Sequence, residues 1–180
     1  MKTMFVAVDY QYDFVCGALG FPGAELLDDS IVRCGRQAQE KGAIIVETKD
    51  THENDYLETR EGKALPIPHT LYGTPGWNTY GKTGLWLEET PHIIIKKSTF
   101  GCPPDEMLKL PDGVEEIMFA GLVTNMCVLT NICCFQARYP NAQITVYENL
   151  CTSFNKELHD KTMDVLRGLQ VNVAVYDKEG

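Results

Sequence analysis

Gly121-Leu122-Val123-Thr124-Asn125-Met126-Cys127-Val128 joins the two patterns that decide the fold. Before it, Glu116 to Ala120 reads E-I-M-F-A, a short apolar run suited to a buried strand. After it, from Cys127 to Tyr139, apolar residues recur at helical spacing. A buried strand turning directly into a helix is the repeating unit of a parallel α/β sheet, and it places Cys127 in the helix's first turn. Unpaired N–H groups and a partial positive charge there favour the thiolate, the reactive form of cysteine. The same N–H groups can hold an oxyanion. The competing reading is a buried cysteine acting as a small hydrophobe.

Working outward, the same unit recurs. Thr3 to Asp9 is an apolar run ending in an acid, as expected of a central parallel strand that delivers a side chain at its carboxyl end. Tyr10 to Phe14 and Gly17 to Gly23 form an aromatic, glycine-rich loop, and Ala24 to Lys41 reads as a helix ended by Gly42. Ala43 to Lys49 is a second strand with Asp50 and His52 just beyond it. Glu53 to Gly84 has three prolines, many polar residues and little periodicity; a loop of that length is usually functional. His92 to Lys96 is a third strand followed by Lys97, and Pro103 to Leu110 a short helix begun by proline. Gln143 to Tyr147 and Val171 to Tyr176 supply strands five and six, separated by a helix from Lys156 to Leu169. The expected fold is α/β: a doubly wound, mainly parallel six-stranded sheet with helices on both faces, ligands binding at its carboxyl edge.

Composition limits the function. With 180 residues, 44% hydrophobic and 23% charged, the chain suits one soluble domain with a substantial core. No apolar run is long enough to cross a bilayer and no leader-like segment opens the chain, so a cytoplasmic protein with no membrane partner is expected. The net charge of −9, without a basic run, argues against nucleic acid. Seven cysteines with no C-x-x-C pair argue against a disulfide scaffold, a zinc ribbon and a thioredoxin-type site.

On this topology Asp9, Asp50, His52, Lys97 and Cys127 all fall at the carboxyl ends of strands one to four. A thiol, an acid that accepts its proton and a lysine that stabilises negative charge make a nucleophilic site. The bland alternatives are an Asp9 that ties down the Cys127 helix and a solvated Lys97, with Lys96 competing for the same role. Asp50 and His52, followed by Glu61 and His69, form a mixed nitrogen and oxygen donor set suited to a divalent metal: zinc, iron or manganese. His92 and His159 read as structural or surface residues.

Five segments, V-D-Y-Q-Y-D-F (Val8 to Phe14), T-K-D-T-H (Thr48 to His52), P-H-T-L-Y-G-T-P-G (Pro68 to Gly76), K-S-T-F (Lys97 to Phe100) and G-L-V-T-N-M-C-V, run in the order found in one family. The chain resembles the isochorismatase-like cysteine hydrolases, and among them the nicotinamidases and related amidases. The resemblance implies a catalytic triad at Asp9, Lys97 and Cys127. It also implies a cis peptide before Val123 that lets the N–H groups of Val123 and Cys127 form an oxyanion hole. It further implies a metal on Asp50, His52 and His69, with Glu61 as a fourth candidate, zinc first among the metals. Self-association into a homo-oligomer is expected from it as well. The chain departs from the family pattern at Asn125, where aspartate is common, at Thr70, and at Pro66, where an aromatic residue often flanks the pyridine ring. Phe14, Tyr56, Tyr72 or Trp77 can supply a ring face instead. The expected activity is cleavage of a small amide, nicotinamide first. The alternatives are another small-amide or carbamoyl hydrolase and a non-catalytic binding or scaffold domain.

Overall fold

The computed structural model describes residues 1–177. Six strands, β1 (Thr3–Val8), β2 (Ile44–Asp50), β3 (Ile93–Lys97), β4 (Glu116–Leu122), β5 (Gln143–Thr152) and β6 (Asn172–Ala174), form one parallel sheet in the order β3-β2-β1-β4-β5-β6. Along β1 the side chains alternate between two cores. Met4, Val6 and Val8 join Phe119, Ile132 and Phe135 on one face, while Phe5 and Ala7 join Ile31, Cys34 and Trp86 on the other. Both faces are therefore covered, which is why the central strands are continuous apolar runs rather than alternating ones.

The helices follow from this sandwich. They are α1 (Tyr12–Val15), α2 (Asp28–Glu40), α3 (Arg60–Ala64), α4 (Gly81–Glu88), α5 (Pro104–Met107), α6 (Leu129–Arg138) and α7 (Lys156–Gly168). The expected Ala24 to Lys41 helix is a 3₁₀ turn, Ala24–Leu27, running into α2. Past its end Gly42 takes φ +83°, a left-handed value that closes helices and favours glycine. β5 runs five residues beyond the expected Tyr147, and β6 is shorter than Val171 to Tyr176.

The stretch from Glu53 to Gly84 is less bare than its composition suggests. It holds the short turns Tyr56–Glu58 and Pro75–Trp77, α3, and the first half of α4. Tertiary packing rather than propensity holds α4: Trp86 and Leu87 are buried, and the Trp86 ring lies where a Cβ on Gly35 would come within 2.2 Å of it.

The strand order reverses between β1 and β4, so the crevice beyond their carboxyl ends is the natural ligand site. Close approach keeps it tight. At Gly121, φ +131°, an added Cβ would stand 2.1 Å from the Val8 carbonyl oxygen. Cys127 sits in a π-helical turn, Thr124–Val128, that leads into α6, rather than in the regular first turn of that helix. The peptide bond Leu122–Val123 is cis.

Candidate active site

Strand ends deliver the first group of side chains. Asp9 follows β1 with φ 44°, a left-handed value that aspartate tolerates better than most residues. It is fully buried and accepts a 2.6 Å hydrogen bond from Thr48 Oγ1 on β2. Lys97 closes β3 with its side chain directed inward; its Nζ stands 2.6 Å from Asp9 Oδ2, 3.4 Å from Asp50 Oδ1 and 3.6 Å from Cys127 Sγ. Lys96, one residue earlier and so on the opposite face, instead lies 4.3 Å from the Tyr72 ring centroid. Asn131 on α6 accepts from Cys102 N–H and donates to the Cys127 carbonyl, joining the segment after β3 to the turn that carries the thiol.

Burial governs the electrostatics. It pushes the Cys127 thiol well above its usual range, and the nearby Lys97 only partly offsets it, while a hydrogen bond to Asp9 raises it further. The helix-start argument, which favoured the thiolate, is outweighed, and Cys127 is held as a thiol. Burial also raises the Asp9 carboxyl, against the pull of Lys97. Burial disfavours the charge on Lys97, yet Asp9, Cys127 and Asp50 around it raise its pKa well above the ordinary lysine value. The result is a buried ammonium paired with a carboxylate, beside a protonated thiol.

A second group adjoins the first through Asp50. One carboxyl oxygen of Asp50 and one ring nitrogen from each of His52 and His69 all lie within 4.8 Å of one another. Gln11, absent from the expected site, braces Asp50 by accepting from its N–H at 2.8 Å and donating to its carbonyl at 2.9 Å. The loop carrying His69 is stitched on by Thr70, whose N–H donates to Asp13 and whose hydroxyl donates to Asp50, both at 2.7 Å. Thr70 has φ 44°, a genuine outlier for a β-branched residue and of the kind that gathers at functional sites. His69 Nδ1 lies 2.8 Å from the Ile67 carbonyl, so its Nε2 faces the cluster.

This set fits a divalent cation. His52 Nε2 and Glu61 Oε2 are buried without a hydrogen-bond partner, and His52 Nε2 stands 3.1 Å from Asp50 Oδ2 without the alignment of a hydrogen bond. Glu61 Oε1, carried by α3, lies 3.8 and 3.7 Å from the two histidine Nε2 atoms. Two carboxylates, Asp9 and Asp50, share the one ammonium of Lys97, and a third, Glu61, faces the two histidines, leaving local negative charge for a cation to balance.

Cys127, Asp50, Glu61 and His69 supply the polar lining of a cavity of about 450 Å³ that is otherwise lined by apolar residues and Gly20. Of the expected ring faces, Phe14 lines it, its ring 5.6 Å from that of His69. Tyr56 does not; it is buried against the His52 and His69 rings and donates to the Leu65 carbonyl. Tyr72 and Trp77 do not either: they pack on each other, with Tyr72 half exposed. Phe21, Leu65, Phe100, Met126 and Phe154 line the cavity and were not anticipated, since all but Met126 stand in loops without periodicity. Val123, the residue just before the π-helical turn, also lines it beside Cys127, the turn's fourth residue.

Fold and site together define an α/β protein with a buried cysteine, aspartate and lysine at the switch point of its sheet. The family model described as Isochorismatase domain matches residues 3–179, and the chain belongs to that family. A nicotinamidase from Bacillus subtilis is 30% identical with a TM-score of 0.81, the alignment covering 97% of this chain and 100% of that one. Two more distant structures share the fold. A pyrazinamidase of Pyrococcus horikoshii in complex with zinc is 20% identical, TM-score 0.79, over 98% of this chain and 100% of that chain. A protein of L. infantum in complex with nicotinate is 19% identical, TM-score 0.80, over 97% of this chain and 92% of that chain. Comparison with curated protein sequences gave no match. Among the described residues, no helix is long and apolar enough to cross a membrane.

Proposed function

We propose that the protein is a cysteine amidohydrolase that cleaves a small carboxamide, with nicotinamide to nicotinate and ammonia as the leading reaction. The observation that carries this reading is the contact of one buried ammonium, Lys97 Nζ, with both the Asp9 carboxylate and the Cys127 sulfur. Because the thiol is held protonated, its proton passes to Asp9 as Sγ attacks the amide carbon. The N–H groups of Val123 and Cys127 hold the oxyanion that forms. Collapse of the tetrahedral intermediate breaks the carbon–nitrogen bond, and Asp9 returns its proton to the departing ammonia. Water then attacks the thioester while Asp9 accepts its proton, the acid leaves, and the proton returns to Cys127. Lys97 keeps its charge throughout and offsets whichever of Asp9 and Cys127 is the anion.

Asp50, His52 and His69 would hold a divalent metal, with Glu61 as a further ligand and zinc as the first candidate. Bound there, the metal supplies a Lewis acid for a pyridine nitrogen or a water beside the cavity. Ammonia release from a panel of small amides, with and without a chelator, tests substrate and metal dependence together. Turnover of nicotinamide that a chelator suppresses and zinc restores is the expected result. No release from any amide would overturn the assignment.

A further inference from the structure

Every connection at the carboxyl edge places an apolar side chain in the cavity wall: Phe21 before α2, Leu65 after α3, Phe100 after β3, Met126 before α6 and Phe154 after β5. The polar groups are confined to the floor, where Cys127, Asp50 and His69 are between 2% and 5% exposed. The rim is different. Phe154 is 62% exposed, and its ring meets that of Phe21 edge to face at 6.0 Å, two residues from distant parts of the chain forming one aromatic lip. No lysine or arginine lines the cavity among the described residues, and its charged groups other than His69 are acidic. At about 450 Å³ the space lies in the range of pockets that enclose drug-sized ligands, well beyond a single pyridine ring.

We infer that the preferred substrates are primary amides whose acyl part carries an uncharged, bulky apolar or aromatic extension reaching the Phe21 and Phe154 lip. This rests on the amidohydrolase reading above. The carboxamide meets Cys127 on the floor, and the extension exchanges water for the faces and edges of the wall residues. An anionic extension gains nothing there, because no basic side chain receives it. Nicotinamide, which fills the floor alone, is then a minimal substrate rather than the best one.

The test is ammonia release from nicotinamide, benzamide, phenylacetamide and hydrocinnamamide, with succinamate as the anionic comparison. The expected kcat/KM rises from benzamide through phenylacetamide to hydrocinnamamide, with hydrocinnamamide about tenfold above benzamide and succinamate lowest, in line with the worth of added methylenes in an apolar pocket. Phe154→Ala, at a side chain too exposed to hold the core, should lower the hydrocinnamamide-to-nicotinamide ratio by about tenfold. A ratio that Phe154→Ala leaves unchanged, or a series that declines from benzamide to hydrocinnamamide, overturns the inference and leaves the amidohydrolase reading standing. If no amide, nicotinamide included, releases ammonia, the amidohydrolase reading itself fails and the inference with it.

Discussion

The two halves of the site are held by different means. Asp9, Lys97 and Cys127 are fixed by the ends of β1, β3 and β4, adjacent to the most buried part of the sheet, and each is at most 5% exposed. His69 and Glu61 come from the long segment after β2, and that half depends on pins such as Thr70 to Asp50 and Gln11 to the Asp50 backbone. One half is set by sheet register and the other by a loop folded onto it. The two halves meet at Lys97, which touches Asp9 in the first and Asp50, its register partner on β2, in the second.

The largest effect should therefore come from removing that link. Lys97→Met leaves buried carboxylates without their cation, which costs about 3–5 kcal/mol when one partner of a buried pair is lost. Urea unfolding should show a free energy of unfolding lowered by that amount, with ammonia release abolished. A variant with native stability would mean that the two halves are independent. Next, Asp9→Asn keeps the shape and tolerates the left-handed backbone but cannot accept the thiol proton. Its kcat should fall by about 10²–10⁴, while zinc affinity, read by competition with a chromophoric chelator, stays near that of the unaltered protein. A loss of zinc binding in Asp9→Asn would contradict the division of labour. The loop half is probed by His69→Ala, for which zinc affinity should drop at least tenfold and the alkylation rate of metal-free Cys127 by iodoacetamide should change little.

The smallest expected effect lies outside both halves. His92 is raised above the ordinary histidine range by its hydrogen bond to Glu47, with Nε2 3.5 Å from Glu47 Oε2. A raised folded-state pKa contributes stability that is fully present below the unfolded value of about 6.5 and is lost as pH rises through the folded value. His92→Asn should thus lower thermal stability at mildly acidic pH, by less than about 1 kcal/mol, and have no effect at alkaline pH. A uniform loss at both extremes would point to packing instead.

What was legible in the sequence follows the same division. The strand-end residues could be placed because an apolar run that stops at a polar residue marks a parallel strand's end, and topology then gathers those ends at one edge. Between Lys96 and Lys97 the sequence carried only a preference for Lys97, and β3 directs Lys97 toward Asp9 and Cys127 and Lys96 toward Tyr72. Gln11 and Thr70 carry no periodic signal: one works through its backbone-like amide, the other through a left-handed φ that no pattern of residue types announces. The cavity walls were hidden for a related reason, since Phe21, Phe100 and Phe154 lie far apart in the chain and in loops. Tyr56 and Tyr72 looked equivalent as loose aromatics near the histidines, yet one is buried beneath them and the other faces Trp77. Burial, finally, decides the ionisation of Cys127 against the local helix effect, and burial on this scale is a property of the assembled sheet.

The claim at the centre is that Cys127 forms the covalent bond to substrate. Ammonia release by Cys127→Ala, measured on an amide that the unaltered protein turns over and with the fold checked by thermal unfolding, addresses it most directly. The expected result is a protein that unfolds cooperatively and releases no ammonia above background; retained turnover in that variant would contradict the account.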